Sequence, residues 1–352
     1  MFYNPSQCLK DSFFELKGVV KVRPPQGFKS TGPWLSGWNY RRPVTVTEQS
    51  GSDLSNYQVL IELDSTNFDF TKAQTNGEDI RFTIDDAETL IDHWIENWDS
   101  VGETAKVWVE VPTLTASTDT TIYMYYGNIS ALNVSDGDAT FEFFDDFDGT
   151  NLDTNKWDIN AVGNITYSVF DSKIRITDAF SGGSSDYWIY DNTDSGNQHQ
   201  SKWTLINSFI LEWKQKVDDT VGDMMGQVGM GLVGNDNLFS AYSCVSDPSG
   251  GTISFFKRNT YNFVESNTAP SANATLPDLR EFRITKNGNN IIIRDLTDEL
   301  DIVSGSSTDV IKIVIGPYGN YPFFDYGDIF WVITRGYSDP EPSITIGSEE
   351  TS

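Results

Sequence analysis

The stretch KVWVEVPTLTASTDTTIYMYY, residues 106–126, decides the fold class. Apolar and polar side chains broadly alternate along residues 106–111 and again along 121–126, and small polar residues separate the two segments. Alternation with a period of two places every second side chain on the same face of a strand, so each segment predicts a half-buried β-strand. Consecutive short strands separated by turn residues are typical of a β-sandwich.

The same alternation recurs upstream, at residues 42–47, 57–63 and 79–84, with Gly, Ser, Asn and Asp clusters between the segments. Residues 89–98, TLIDHWIENW, fit a single helical turn and an aromatic-rich strand about equally well. We expect a strand because every neighbouring segment is β.

A domain boundary is predicted at residues 128–138, NISALNVSDGD, because this small polar stretch precedes an abrupt aromatic and acidic run, FEFFDDFDG, at 141–149. Twelve short strand candidates lie beyond it and predict a two-sheet jelly roll. Asn287-Gly288 lies between apolar segments and predicts a hairpin turn of type I′, in which both central residues need positive φ. Residues 1–34 show little periodicity and predict an extended N-terminal arm. We therefore expect an arm over 1–34, a β-sandwich over 35–138 and a jelly roll over 139–352.

The composition restricts the partners. The 352 residues include 51 acidic and 24 basic side chains, for a formal net charge of −27. Because this charge repels polyphosphate, we expect no nucleic acid partner. No apolar run approaches the 18 residues of a membrane-spanning helix, so no membrane insertion is expected. The two cysteines, Cys8 and Cys244, give no disulfide framework.

Several blocks of the first half resemble DUF2341, a domain of unknown function found in archaeal, bacterial and viral surface proteins. They are Trp38 with YRRPV at 40–44, NYQV at 56–59, DIRF at 79–82, KVWV at 106–109 and YMYYGN at 123–128. The next stretch, with FDDF at 144–147, LD at 152–153, KW at 156–157 and the ending at 340–347, resembles a concanavalin A-like module. The resemblance implies an all-β protein of two consecutive β-sandwich domains, the second a concanavalin A-like jelly roll. It implies a surface setting and no established activity.

Cell-surface relatives of this kind carry an export signal and an anchor, and the start of this sequence shows no such pattern. We therefore expect a virion surface protein: a capsid decoration, spike, turret or tail or head fibre. Its arm would bind other virion proteins, its jelly roll would bind host-surface glycans, and symmetric appendages predict a homo-oligomer. The alternatives are a secreted or cell-surface adhesin, located outside the cell, and a polysaccharide-degrading glycoside hydrolase.

Catalytic carboxylates are not evident in the sequence. Glycosidases of this fold place two carboxylates at alternating positions of one strand, whereas Glu212 in LEWKQK has no acidic partner two or four residues on. His93 and His199 lie near no nucleophile motif and in different predicted domains, which argues against a triad or a zinc site. The sequence predicts that the protein is not an enzyme.

Acidic loop residues predict a structural calcium ion, because Ca²⁺ takes carboxylate and carbonyl ligands. Asp145, Asp146 and Asp148 precede Gly149, and the resemblance implies that Asp328 lies nearby, since the first and last strands of such domains are neighbours. Glycan binding is predicted for loop aromatics, which stack on sugar rings, and for amides and carboxylates close to them. These residues are Tyr187, Trp188, Tyr190, Asp236, Asn237, Tyr318, Asn320 and Tyr321.

Overall fold

The computed structural model describes residues 33–160, 165–178, 198–201, 208–218, 227–234, 237–244, 251–252, 256–259, 273–274, 278–297, 299–306, 310–317 and 326–352. All but the last two residues of the predicted arm lie outside this set. The described chain forms two β-sandwiches, with one 3₁₀ turn at Phe70–Lys72 and one short helix, α1, at Gly137–Thr140. The predicted all-β fold class is confirmed. No helix in this part of the chain is long and apolar enough to span a bilayer.

The first sandwich begins with seven antiparallel strands: β1 Tyr40–Thr47, β2 Leu54–Asp64, β3 Arg81–Thr83, β4 Leu90–Ile91, β5 His93–Asp99, β6 Thr104–Leu114 and β7 Asp119–Tyr126. One sheet has the order β2-β6-β5, and the other contains β1, β7, β3 and β4 side by side. Alternate residues of β2 and β6 point into the core between the two sheets. Val59 lies opposite Val109 and Ile61 opposite Val107, and all four are buried. The segment at 89–98 is extended, as predicted, but it forms two strands in different sheets, β4 and β5.

The second sandwich is a jelly roll of two large sheets. Its strands are β8 Phe143–Asp145, β9 Trp157–Asn160, β10 Ile165–Val169, β11 Ile174–Asp178, β12 Gln198–Ser201, β13 Ser208–Asp218, β14 Gln227–Gly234, β15 Asn237–Cys244, β16 Gly251–Thr252, β17 Phe256–Asn259, β18 Asn273–Ala274, β19 Asp278–Asn287, β20 Asn290–Asp295, β21 Leu300–Ser306, β22 Val310–Pro317 and β23 Tyr326–Gly336.

Eight of these strands form one sheet in the order β10-β11-β23-β13-β19-β20-β21, with β8 also paired to β23. Six form the other sheet, β17-β15-β14-β22-β12-β9, and β16 pairs with β18 apart from both. The core between the sheets contains Trp213 stacked on Phe282, with ring centroids 5.3 Å apart, and the buried Trp157 and Ile313. Large aromatic side chains thus supply much of the buried apolar surface.

The last two strands return to the first sandwich. β24 Ser343–Ile346 and β25 Glu350–Thr351 both pair antiparallel with β1, and Ile344 and Ile346 pack against the first core. The jelly roll is therefore inserted between β7 and β24, in contrast to the expected boundary of 139–352. The alternation of a short strand fits the core-facing side of any sheet, so the sequence pattern did not show which sandwich this strand joins.

A chain ending at Pro342 is expected to lose about 3 kcal/mol or more of the stability of the first sandwich. The truncation removes the ladder bonds to β1 and two partly buried isoleucines, and it leaves the buried Arg41 without Glu350, 2.6 Å away. Urea unfolding followed by tryptophan fluorescence measures the change. A chain lacking only Ser352 is the control, and equal midpoints for the two truncations would contradict the pairing.

The hairpin predicted at Asn287-Gly288 forms one residue further along. Asn287 pairs with Asn290, so Gly288 and Asn289 are the central residues, and Gly288 has a φ of +55°. Gly at the first central position is the arrangement of a type II′ turn rather than type I′. The difference arises because Asn287 continues the ladder of β19, in register with Ser208 of β13.

Candidate functional site

The predicted glycan-binding residues lie outside the described chain, apart from Asn237, the first residue of β15. The strands next to them in the sequence are described, and their register is known. His199 of β12 lies opposite Ile315 of β22, so β12 starts at the end of the sheet where β22 finishes. In the sequence, Tyr187–Tyr190 precede β12 and Tyr318–Tyr321 follow β22. β14 ends and β15 begins at the opposite end of the sheet, and Asn237 is the first residue of β15.

Each candidate group adjoins a strand of the six-stranded sheet in the sequence, and in the described part of the chain the first sandwich does not cover that sheet. It packs on the outer face of the eight-stranded sheet, where Trp331 and Ile333 of β23 contact Trp94 and Trp108 through one apolar cluster. Since the two sheets of the jelly roll lie back to back, the six-stranded sheet faces away from the first sandwich.

The structure does not bring the predicted calcium ligands together. Asp328 forms a bidentate pair with Arg175 of β11, at 2.6 and 2.7 Å, whereas Asp145 lies opposite Val332, four residues further along β23. Four strand residues span roughly 13 Å. Asp145 accepts hydrogen bonds from Trp157 Nε1 at 2.5 Å and from the Phe147 amide at 2.8 Å. Among the described residues no three His, Cys, Asp or Glu side chains form a group that could hold a metal, so this set does not fit calcium as predicted.

The two histidines lie in different sandwiches. His93 starts β5, is buried against Phe82 with ring centroids 5.4 Å apart, and burial with the nearby Arg81 charge lowers its pKa to about 4. His199 lies in β12.

Glu212 occupies the outer face of the eight-stranded sheet, beneath the first sandwich. Its carboxylate is 1% exposed and accepts hydrogen bonds from Arg283 Nε at 2.6 Å and Arg335 Nη2 at 3.1 Å. Burial acts to raise the pKa of Glu212, but the two guanidinium groups outweigh it and hold the pKa below its usual range. Arg335 also reaches Tyr57 of the first sandwich, Oη to Nη1 3.4 Å, so Glu212 is part of the contact between the sandwiches.

We call this contact the inter-sandwich seam; its apolar part comprises Leu60, Trp94, Trp108, Phe141, Phe144, Phe330, Trp331 and Ile333. Trp94 packs edge-on against Phe144, with centroids 4.9 Å apart, and against Trp331 at 6.0 Å. Such edge-to-face pairs add to the free energy of burying the rings. The seam therefore fixes the orientation of the jelly roll on the first sandwich.

A charged group borders the seam. Lys106 of β6 and Lys214 of β13 both contact Glu281, each at 2.9 Å, and Glu96 lies 3.8 Å from Lys106. The Glu96 side chain is 3% exposed, one carboxylate oxygen accepts from Trp108 Nε1, and the other has no hydrogen-bond partner. Burial raises the pKa of Glu96 to about 7, the charge of Glu281 adds to this, and Lys106 opposes it.

Replacing Glu96 by glutamine is expected to stabilise the protein at pH 8 by about 1 to 3 kcal/mol and to have little effect near pH 4.5. The folded-state pKa of about 7 lies above the ordinary value of 4.5, so the folded chain retains a proton that the unfolded chain releases. The contribution of Glu96 is complete below pH 4.5 and is lost as the pH rises through 7. Urea midpoints from pH 4.5 to 8 measure it, and Glu88→Gln, at an exposed turn position, is the control. A parallel pH dependence of Glu96→Gln and parent protein would contradict the burial argument.

Residues 76–160 match the family model described as domain of unknown function DUF2341. The match runs from before β3 through β7 and α1 to β9, so it confirms the predicted resemblance over this part of the chain. No curated protein matches the sequence.

The chain is similar to several solved structures of carbohydrate-active proteins. One, titled for endo-acting O-glycanases that members of the human gut microbiota express to initiate mucin breakdown, has 11% identity and a TM-score of 0.40, covering 56% of this chain and all of that one. A Bacteroides ovatus xyloglucan-locus protein, GH43B, has 13% identity and a TM-score of 0.43, covering 70% of this chain and 46% of that one. A β-1,3-1,4-glucanase from a mouse hindgut metagenome has 9% identity and a TM-score of 0.37, covering 55% and 99%.

These structures contradict the prediction that the protein is not an enzyme, because the similar chains bear glycoside hydrolase names. That prediction, which relied on the acidic spacing around Glu212, is wrong. At these identities the likeness describes a fold, and no catalytic residue is carried over to this chain.

Proposed function

We propose that this protein recognises glycans through the loops at one end of the six-stranded sheet and is displayed on an exposed surface, that of a virus particle or of a cell. The observation that supports it is the register of β12 and β22. β12 begins and β22 ends at the same end of that sheet. In the sequence, Tyr187, Trp188 and Tyr190 precede β12, and Tyr318, Asn320 and Tyr321 follow β22.

The residue types suit this role. Tyr and Trp rings stack on the apolar face of a pyranose, and amide groups exchange hydrogen bonds with its hydroxyls. The seam supports the same reading, since a jelly roll fixed by its eight-stranded sheet presents the other sheet to a ligand. Glycan recognition is common to lectins and glycosidases, so the proposal covers binding with and without cleavage.

A glycan array probed with the full chain tests the proposal. We expect binding to a defined set of glycans, and a loss of at least tenfold in affinity for Trp188→Ala and Tyr318→Ala. Thr113→Ala, at an exposed position of the first sandwich, is the control. The bound glycans, incubated with the protein and assayed for new reducing ends over time, distinguish an enzyme from a lectin. No binding to any glycan would overturn the proposal.

A further inference from the structure

A pocket of about 290 Å³ lies at the start of the jelly roll, where α1, β8 and the turn before β9 meet. Six of its lining residues are Asp138, Phe141, Glu142, Phe144, Asn155 and Lys156. It borders the inter-sandwich seam, through Phe141 and Phe144, and is formed by neither of the loops proposed above to bind glycans.

Packing fixes the aromatic side of the pocket. The rings of Phe141 and Phe144 are nearly parallel, with centroids 6.0 Å apart and an interplanar angle of 8°. Trp94 contacts both rings edge-on from the seam, at 5.8 and 4.9 Å. Because Trp94 packs against both rings, their positions are fixed in the free protein. Binding a ligand therefore costs no side-chain conformational entropy at this wall.

The turn before β9 supplies the opposite wall. The backbone amides of Lys156 and Trp157 donate to the Asp153 carbonyl, and the Asn155 amide donates to the Asp153 carboxylate. Lys156 Nζ lies 2.6 Å from Asp138 Oδ1 and 5.6 Å from the Phe144 ring centroid. The ammonium group is therefore positioned by both an ion pair and a ring face.

Two polar groups of the pocket remain available. Glu142 is exposed at the rim, and its carboxylate has no hydrogen bond or ion pair with any residue that the structure describes. The Asn155 side chain is also exposed and makes no hydrogen bond within the described chain. The pocket thus offers an acceptor and an amide that both donates and accepts.

The charge balance restricts the ligand class. Asp138 and Lys156 neutralise each other, so Glu142 leaves the pocket with a net negative charge, which disfavours phosphate, sulfate and carboxylate ligands. A small neutral polyol satisfies the remaining groups: its hydroxyls donate to Glu142 and exchange hydrogen bonds with Asn155, and its C–H groups meet the small part of the Phe141 and Phe144 rings that is exposed, 6% and 5% of the two residues. The volume is just below the range of drug-sized ligand pockets, which begins at about 300 Å³, so the pocket suits a small ligand.

From this geometry we infer that the pocket binds a single neutral pyranose unit, at a site separate from the loops of the six-stranded sheet. The hydroxyl groups contact Glu142 and Asn155, and the apolar face of the sugar lies against the Phe141 and Phe144 side.

Titration of the full chain with methyl glycosides of glucose, galactose, mannose and N-acetylglucosamine, and with glucosamine and glucuronate as charged comparisons, tests the inference; saturation-transfer NMR and calorimetry follow the binding. At least one glycoside is expected to bind the parent protein, and Glu142→Ala and Asn155→Ala are each expected to weaken it tenfold or more. Asn151→Ala, an exposed position outside the pocket, is the matched control. Unchanged circular dichroism and thermal midpoints show that the variants are folded.

The outcomes separate this site from the proposed loop site. Loss of glycoside binding in the two pocket variants, with binding retained in Tyr318→Ala, supports the inference. It is overturned if no neutral glycoside binds, if glucosamine or glucuronate binds in preference, or if the pocket variants bind as the parent does. In the last case, loss of binding in Tyr318→Ala would leave the proposed function intact and the pocket without a ligand.

Discussion

Glu212→Leu is expected to lower the free energy of unfolding by about 3 to 5 kcal/mol. The substitution removes the carboxylate that joins Arg283 and Arg335, and among the described residues it leaves Glu341 as the charged partner of the Arg335 guanidinium, which is 1% exposed. A buried charge that loses one of its partners is less well compensated for its desolvation, and the folded state is destabilised. Denaturant unfolding of the purified variant measures the loss.

The double variant Glu212→Leu with Arg335→Met is expected to recover most of that stability, because replacing both buried ions by apolar groups removes the desolvation penalty of each. Arg283 keeps Glu341 as a partner at 2.8 Å in this background. Glu341→Gln, at a carboxylate that is 38% exposed, is the control and should change stability by less than about 1 kcal/mol. A double variant that is no more stable than Glu212→Leu would show that Glu212 acts through something other than its charge.

Trp331→Ala is expected to destabilise the protein by about 3 to 5 kcal/mol and to separate the unfolding of the two sandwiches. Trp331 is 6% exposed, and its ring packs against Trp94 across the seam. The lost ring contacts and the cavity account for the destabilisation. Because the removed contacts join two separate cores, their loss should also reduce the cooperativity of unfolding.

Trp213→Ala is the matched comparison for Trp331→Ala. Trp213 is fully buried inside the jelly roll, so its removal should cost a similar free energy without touching the seam. Differential scanning calorimetry should therefore show two resolved transitions for Trp331→Ala, and a lowered jelly-roll transition still coupled to the first sandwich for Trp213→Ala. A single transition for Trp331→Ala as well would mean that the two sandwiches unfold together without the Trp331 contacts, which would contradict the prediction.

The strands of the first sandwich could be predicted because alternation alone specifies which side chains share a face. Val59 and Ile61 face the core as their spacing predicts. The sequence also contained a signal for the seam. Leu60 and Trp108 are apolar residues between inward-facing apolar neighbours, and a strand that is apolar on both faces is covered on both.

The sequence could not predict which sandwich the last strands join, or which side chains the acidic residues pair with. Ile344 and Ile346 alternate equally well in either sandwich, and only long-range pairing with β1 decides between them. Asp328 has a side chain that could bind a metal ion, yet it pairs with Arg175, which is 153 positions away in the sequence. Which cation neutralises a carboxylate is set by strand order, which local spacing does not encode.

The insertion of the jelly roll between β7 and β24 sets the path that a pulling force would take through the molecule. The two ends of the described chain lie together: the Ser352 amide donates to the Asn39 carbonyl, and Arg41 joins Pro33 to Glu350. Tension applied across these ends would load the short β1 pairings with β24 and β25 first, and the jelly roll would bear none until those ladders separate. Under tension, the few ladder bonds between β1 and the last two strands would therefore break before the jelly roll bears any force.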